Sequence, residues 1–357
     1  MSAVNDPLDR LLADFAAGRT AALARAISIV ENHRPGFERL LATWSPKLGH
    51  ARRVGITGPP GAGKSTLTTA LTRAYRDSGL TVGIVAVDPT SPFTGGALLG
   101  DRIRMEDIAL DPGVYIRSLA TRGSLGGLSS ATRETCDVLD AFGMDRILIE
   151  TVGVGQSELD VARSADTCLV VLVPESGDSI QTLKAGVMEI ADVFTINKAD
   201  RPGADRLRNE VEIMLGMRSG ATMKNVPAHH GVDLSRNILR QVREAASAEN
   251  AEQWTPPVLK TVAAKDEGIG ELMAALDRHF RYLEHSGTLR ERRRARLRER
   301  VIEVAEDRVR RRLWNDPHTN QWLEERLPAL ESGEDTPFAV ADALLARSAD
   351  LLTRKST

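Results

Sequence analysis

A glycine-rich octapeptide constrains this chain more than any other stretch. Residues 58–65 read Gly-Pro-Pro-Gly-Ala-Gly-Lys-Ser and match the pattern GxxxxGK[ST]. The apolar run 53–57 precedes them and predicts a strand, while a helical pattern follows. In that context the backbone N–H groups of the loop and of the helix N-terminus can surround phosphates. The motif predicts a nucleotide phosphate site in an α/β protein, and a chance glycine-rich turn is the weaker interpretation.

Seven short apolar runs alternate with segments of helical length in the middle of the chain. They are 53–57, 81–87, 114–118, 146–150, 168–173, 192–197 and 257–263. Such alternation is typical of a mostly parallel sheet with helices on both faces. Helical patterns alone fill the two ends, and the hydroxyl of Thr20 makes it a candidate N-cap for the helix that follows it. We therefore expect an N-terminal helical extension (1–50), an α/β nucleotide-binding domain (51–275) and a C-terminal helical region (276–357).

Each residue type in the glycine-rich loop has a predicted role. Lys64 would reach the β- and γ-phosphates, where its charge also makes it a catalytic candidate. The Ser65 hydroxyl would be a ligand of Mg²⁺. The other candidate nucleotide contacts in this loop are Gly58, Pro60, Gly61, Ala62, Gly63 and Thr66.

An NKxD sequence follows the sixth apolar run and indicates which base is bound. The Asp200 carboxylate can accept hydrogen bonds from both N1–H and the 2-amino group of guanine, a pair that adenine does not present. Asn197 begins the motif, and the stem of Lys198 would lie over the base. Ala263 and Ala264, after a later strand, could offer a backbone N–H to guanine O6. The chain is thus predicted to bind GTP and GDP rather than ATP.

Three acidic residues are candidates for the Mg²⁺ and catalytic site. Asp88 and Glu150 each end a predicted strand, where parallel sheets bind ligands, and Asp101 lies between them in sequence. A turn-forming Asp-Pro and a helix N-cap are the alternative interpretations for Asp88 and Asp101. Glu150 opens an ExxG sequence that ends at Gly153, which is a further candidate nucleotide contact. A carboxylate at the end of a buried run needs a partner, which Mg²⁺ with its waters would supply.

Five segments together resemble one family of GTPases. They are GPPGAGKST, AVDPTSPFTGGALLGDRIRM, ETVGVGQSE, PESGDSIQTLKAG and NKAD, and they look like the MeaB proteins, relatives of human methylmalonic aciduria type A protein that are also labelled ArgK or LAO/AO transport ATPases. The resemblance covers roughly residues 20–275 and is looser between 216 and 253. It implies a P-loop NTPase fold, GTP hydrolysis with Mg²⁺, and a homodimer. It also implies a chaperone that gates adenosylcobalamin loading and protects an adenosylcobalamin-dependent acyl-CoA mutase.

The resemblance carries over to individual residues. Lys64, Ser65, Asp88, Asp101 and Glu150 match the phosphate and Mg²⁺ site, and Asn197 and Asp200 match the guanine site. The segment 174–186 resembles a further loop that the mutase reorders, and Gln181 and Lys184 in it are catalytic candidates. Many switch GTPases place a water-orienting glutamine directly after the motif glycine, but here that position holds Val154, and Gln156 follows two residues later. We expect slow basal hydrolysis that a methylmalonyl-, isobutyryl- or 2-hydroxyisobutyryl-CoA mutase stimulates.

Net charge and cysteine content argue against several other classes of protein. A net charge of −2 gives no general attraction to nucleic acid or anionic membranes, and no apolar run has the length of a membrane span or the character of a signal peptide. Cys136 and Cys168 form no CxxC pattern and fit core thiols in a reducing compartment, so a cytoplasmic location is expected. The arginine-rich stretch 289–313 also carries glutamates and apolar residues at helical spacing, which favours a dimer-facing helix over a nucleic-acid surface.

Two alternative functions stay open. The pair His229-His230 could serve a GTPase that delivers nickel, cobalt or zinc, although such proteins usually offer thiolates or a longer histidine-rich tract. A small-molecule or protein kinase would use the same phosphate loop but has no need of an NKxD sequence.

Overall fold

The fold comes from a computed structural model that describes most of the chain. The described residues are 6–89, 105–121, 127–151, 157–174, 185–218, 243–244 and 253–348. The chain divides into two compact units, residues 1–293 and 294–357. The predicted site residues Asp101, Gly153, Gln181 and Lys184 lie outside the described residues, as does the pair His229-His230.

The first unit is built on a seven-stranded parallel sheet. Its strands are β1 (Arg52–Thr57), β2 (Val82–Pro89), β3 (Val114–Thr121), β4 (Arg146–Thr151), β5 (Thr167–Leu172), β6 (Val193–Ile196) and β7 (Val258–Lys260). Their order is β3-β2-β4-β1-β5-β6-β7, and all six neighbouring pairs are parallel. The predicted α/β fold with a mostly parallel sheet is thus confirmed. The last strand is shorter than expected because the chain turns into a 3₁₀ helix at Ala263–Lys265.

Fourteen α-helices occur in the described part of the chain. They are α1 (Pro7–Ala16), α2 (Thr20–Glu31), α3 (Phe37–Trp44), α4 (Lys64–Asp77), α5 (Glu106–Ala109), α6 (Gly127–Phe142), α7 (Ser157–Ser164), α8 (Ala185–Ile190), α9 (Ala204–Arg218), α10 (Ile269–His285), α11 (Thr288–Trp314), α12 (Pro317–Glu324), α13 (Leu327–Ser332) and α14 (Pro337–Arg347). Thr20 is not the N-cap of α2 that its hydroxyl suggests. The helix begins at Thr20 itself, and Arg19 occupies the cap position without a side-chain hydrogen bond.

The two faces of the sheet enter separate hydrophobic cores. On β2, Val85 belongs to the core formed with the N-terminal helices and α6, whereas its neighbour Ile84 belongs to the core formed with α4 and α10. This alternation follows from the side-chain period of two along a strand. The helices of residues 7–44 join the first of these cores by packing against α6, with Leu23 and Ile27 fully buried.

The strand order indicates where on the sheet a ligand is expected to bind. β1 lies at the centre, β4 adjoins it on one side and β5 on the other. From β1 the chain continues to β2 on one side, and from β4 it crosses to β5 on the other side of β1. Parallel sheets bind ligands at the carboxyl ends of the strands where the direction of winding reverses in this way. The glycine-rich loop follows β1, and Glu150 lies near the end of β4.

The second unit contains only helices among its described residues. Leu313, Trp322, Val340 and Leu344 form its small core. Two helix starts are capped as their sequences indicate: the Thr319 N–H donates to Asp316 at 2.9 Å, and in α14 the Ala339 N–H donates to the Thr336 hydroxyl oxygen at 3.2 Å. Across the described residues of both units, every helix is too short or too polar to cross a membrane.

Candidate functional site

The glycine-rich loop has a backbone that side chains would disrupt. Gly58 and Gly63 have φ angles of 139° and 82°, which favour glycine. A Cβ at Gly58 would lie 2.1 Å from the Val171 carbonyl oxygen, and one at Gly63 would lie 2.5 Å from Asn197 Nδ2. The loop therefore packs closely against the ends of β5 and β6, which fixes its position at the carboxyl edge of the sheet.

Lys64 is buried at the start of α4. Its Nζ donates to the carbonyl oxygens of Gly58 and Pro59 at 2.9 and 3.0 Å, and only 5% of the residue is exposed. These bonds hold a positive charge within the glycine-rich loop. The other predicted contacts differ in access, since Pro60 and Thr66 are exposed whereas Ala62 is buried in the core below the loop.

Ser65 and Glu150 meet at the predicted metal position. The Ser65 hydroxyl donates to Glu150 Oε1 at 2.5 Å, and Glu150 is only 5% exposed. Parallel pairing of β1 with β4 brings these groups together although 85 residues separate them. A hydroxyl and a carboxylate are hard oxygen donors of the kind that Mg²⁺ prefers, so the residues present fit that ion. Asp88 lies near the carboxyl end of β2, the strand beside β4.

Asn197 connects two parts of the site. One is the glycine-rich loop, predicted to bind phosphates, and the other is the base side, made of the NKxD turn and the 3₁₀ turn after β7. It is 2% exposed, and its Nδ2 donates to the Ala62 carbonyl oxygen at 2.8 Å. Its Oδ1 accepts from the Ala263 N–H at 3.1 Å and from the Thr261 hydroxyl at 3.3 Å. The Ala263 N–H is thus engaged within the protein, so of the two alanines predicted to contact the base, Ala264 is left for guanine O6.

The two lysines of the base side have different partners. Lys198 has a positive φ of 56°, and its Nζ donates to the Gly61 carbonyl oxygen at 2.9 Å. Lys265 donates to Asp200 Oδ2 at 3.2 Å, and 42% of the Asp200 side chain is exposed. Sequence reasoning missed Lys265, although its position directly after Ala264 was a usable signal.

The described site thus collects residues from four loops at one edge of the sheet. These are the glycine-rich loop after β1, the end of β4, the NKxD turn after β6 and the 3₁₀ turn after β7. Direct hydrogen bonds link the first pair, and Asn197 links the first loop to the last two. This site suits a nucleoside triphosphate with its metal ion. It combines backbone donors, a buried lysine, hard oxygen ligands and an exposed carboxylate.

Comparison with known proteins agrees with this geometry. The family described as methylmalonyl Co-A mutase-associated GTPase MeaB matches residues 23–318. A Pyrococcus abyssi relative is 43% identical over 338 residues, which cover 95% of this chain and 96% of the relative. GTPase ArgK of Escherichia coli is 34% identical over 325 residues, or 90% of each chain. The mouse methylmalonic aciduria type A homolog, a mitochondrial protein, is 32% identical over 356 residues, or 95% of this chain and 79% of that one.

A solved structure supports the same assignment. The crystal structure of an LAO/AO transport system kinase aligns with a TM-score of 0.64 and 27% identity, covering 96% of this chain and 97% of the other. The fold, the site and these relatives agree, and this chain belongs to the MeaB family of GTPases.

Proposed function

We propose that this chain is a slow, Mg²⁺-dependent GTPase that serves as the chaperone of an adenosylcobalamin-dependent acyl-CoA mutase. The observation that carries the nucleotide part is the 2.5 Å contact between Ser65 and Glu150 beside the loop that holds Lys64. It brings a P-loop hydroxyl and a strand-end carboxylate to one point. The contact supports a metal site next to the terminal phosphate.

In this proposal the chain's own residues bind and orient the triphosphate. Lys64 would exchange its two carbonyl partners for β- and γ-phosphate oxygens, while loop N–H groups donate to the same phosphates. Ser65, Glu150 and, near the end of β2, Asp88 would hold Mg²⁺, with Asp101 as a further candidate. Bound there, the ion would neutralise charge on the phosphates.

Guanine selection would depend on Asp200 and Ala264. Asp200 would accept from the two guanine donors, while the Ala264 N–H would donate to O6. Adenine would leave the carboxylate facing a ring nitrogen that cannot donate, which disfavours ATP.

Asp200→Asn should therefore lower GTP affinity and raise affinity for xanthosine triphosphate, whose 2-oxo group suits an amide donor. Equal affinities of the parent protein for ATP and GTP would contradict the guanine site.

The chaperone role rests on family membership and on the relatives' names. The matched family is described as mutase-associated, and the mouse relative is named after methylmalonic aciduria. We propose that the GTP state gates adenosylcobalamin loading and protects or reactivates the mutase. The candidate partners are methylmalonyl-, isobutyryl- and 2-hydroxyisobutyryl-CoA mutases.

A homodimer formed through α11 is part of the proposal. Leu297, Val301 and Val304 recur at i, i+4 and i+7 and are 63%, 69% and 40% exposed. An apolar stripe on a helix of 27 residues would bury itself against the same stripe of a second copy.

Two measurements test the chaperone role. A pull-down with the full chain from native extract should recover an acyl-CoA mutase, identified by mass spectrometry. With that mutase purified, visible absorbance should show that cobalamin loading differs between the GTP and GDP states. Phosphate transfer to a small acceptor would favour a kinase instead, and stoichiometric nickel, cobalt or zinc on the purified protein would favour metal delivery.

A further inference from the structure

An ion pair occupies the carboxylate that is proposed to read guanine. Lys265 Nζ lies 3.2 Å from Asp200 Oδ2. The backbone holds the two turns together, because the Ala199 N–H donates to the Thr261 carbonyl oxygen at 3.0 Å. Asn197 adds a side-chain bond to the Ala263 N–H. The pair is therefore set by the arrangement of both turns rather than by a chance meeting of two side chains.

Guanine needs the atoms that this pair uses. Its N1–H and 2-amino group together require both carboxylate oxygens of Asp200, and one of them already accepts from an ammonium group. The other lysine of the base side does not compete in this way, since Lys198 Nζ donates to the Gly61 carbonyl oxygen instead. The base must share Oδ2 with Lys265 or displace its ammonium group into water.

We propose that Lys265 competes with guanine for Asp200, so that it lowers affinity for GDP and GTP and speeds their release. The proposal rests on the guanine site described under the proposed function. The expected consequence is a faster exchange of GDP for GTP than the same site would allow without Lys265. Lys265 acts through Asp200 and is a positioning residue, not a catalytic one.

The exposure of both groups limits the size of the effect. The side chains of Lys265 and Asp200 are 57% and 42% exposed, so water screens their attraction and stabilises the separated charges. Exposed pairs of this kind change equilibria by about two- to fivefold. The expected consequence is a modest change in release rate, large enough to measure by stopped flow.

The direct test replaces Lys265 by methionine, which keeps the length of the stem and removes the charge. Release of a fluorescent GDP analogue from the full-length protein should slow by about two- to fivefold. Loss of a merely structural contact would loosen the site and speed release, so the direction separates the two roles. The matched control is Lys260→Met, because Lys260 forms a similar 2.9 Å pair with Asp205 close by in the chain. That variant should release GDP at the parent rate.

A double-mutant cycle with Asp200→Asn identifies the partner. In the Asp200→Asn background, Lys265→Met should no longer slow release, because the carboxylate for which it competes is gone. High salt should also narrow the difference between the parent and Lys265→Met. If Asp200→Asn leaves GDP affinity unchanged, the guanine site itself is wrong. If Asp200→Asn weakens GDP binding but Lys265→Met leaves release unchanged or faster, only the competition by Lys265 is wrong.

Discussion

Gly63 and Gly79 allow the effect of backbone strain on stability to be distinguished from an effect on nucleotide binding. Gly63 and Gly79 have nearly the same positive φ, 82° and 78°, so an added Cβ strains both backbones to a similar extent. Their surroundings differ. A Cβ at Gly63 would lie 2.5 Å from Asn197 Nδ2, whereas nothing lies within 4 Å of one at Gly79. An added Cβ at Gly63 would displace the Asn197 side-chain amide, which links the glycine-rich loop to the 3₁₀ turn after β7.

Gly63→Ala should therefore strongly weaken nucleotide binding, while Gly79→Ala should only reduce stability. We expect each variant to lose about 1 kcal/mol of unfolding free energy from backbone strain. GDP affinity should fall by roughly 10²-fold or more in Gly63→Ala alone, because moving Asn197 leaves buried donors and acceptors unpaired. Calorimetric titration of both variants checks the difference. Equal GDP affinities in the two variants would show that the contact with Asn197 does not matter.

At the scale of helices and strands, local pattern predicts much of the first unit. All seven strands form close to their predicted positions, because an apolar run between helical segments has few other ways to be buried. The misses have local physical reasons. The run 257–263 ends early as a strand, since the chain turns there and Asp266 takes a positive φ of 55°. Nothing in the sequence of α2 shows that Arg19, rather than Thr20, takes the cap position.

The predicted site divides in the same way between local and distant features. The glycine-rich loop and the NKxD turn are readable because their chemistry lies within a few consecutive residues. The pairs Lys265–Asp200 and Arg293–Asp166 join residues 65 and 127 positions apart, and only the folded sheet brings them together. The position of Lys265 after Ala264 places it near the predicted base site, but no sequence pattern identifies its partner or the partner of Arg293.

The first turns of α11 are fixed to the amino edge of the sheet by two arginines. Arg292 donates to both carboxylate oxygens of Asp192 at 3.0 and 3.1 Å. Arg293 donates to both oxygens of Asp166 at 2.8 and 3.2 Å, and to the Gly49 carbonyl oxygen at 2.7 Å. Asp166 is almost completely buried, so its charge depends on such donors. These residues explain part of the arginine-rich stretch without any nucleic acid.

Arg293→Met should lower the free energy of unfolding by roughly 2–4 kcal/mol, because it leaves the buried Asp166 carboxylate short of its guanidinium partner. The control is Arg294→Met on the same helix, where the arginine is exposed and the expected change is within about 0.5 kcal/mol. Urea denaturation of the two full-length variants measures both values. Similar losses in the two variants would mean that the Asp166 pair adds little to stability.

At the scale of the whole molecule, the apolar stripe of α11 predicts how copies associate. Leu297→Glu with Val301→Glu places two charges on residues that are 63% and 69% exposed, so the folded monomer should tolerate them. A dimer interface built on that stripe should be disrupted, because the two carboxylates would be buried without partners. Light scattering should give twice the chain mass for the parent and the single chain mass for the double variant. Leu110→Glu is the control, since Leu110 is 93% exposed in the first unit and should leave the dimer intact. A double variant that remains dimeric would place the interface elsewhere.

The rate of hydrolysis is expected to depend on a second protein. In the proposal, the described residues around Lys64, Ser65 and Asn197 would provide the phosphate, metal and base contacts, so tight binding of GTP would not require a partner. Val154 occupies the position after the motif glycine, and its side chain can neither donate nor accept a hydrogen bond, so that side chain cannot orient the attacking water. Binding without that group stabilises the ground state more than the transition state. Gln181 and Lys184 lie in the segment proposed to change when a mutase binds, and either could supply the polar group.

Lys184→Ala tests this division between binding and hydrolysis. Basal phosphate release should stay nearly unchanged, because Lys184 is proposed to reach the site only when the mutase is bound. The mutase-stimulated rate should fall by roughly 10²-fold if the ammonium group neutralises charge in the transition state. Gln181→Ala, measured in parallel, shows which of the two residues carries the stimulation, and GTP affinity should remain at the parent value in both variants. Fast hydrolysis by the isolated parent protein, or equal losses of the basal and stimulated rates, would contradict a GTPase that waits for its partner.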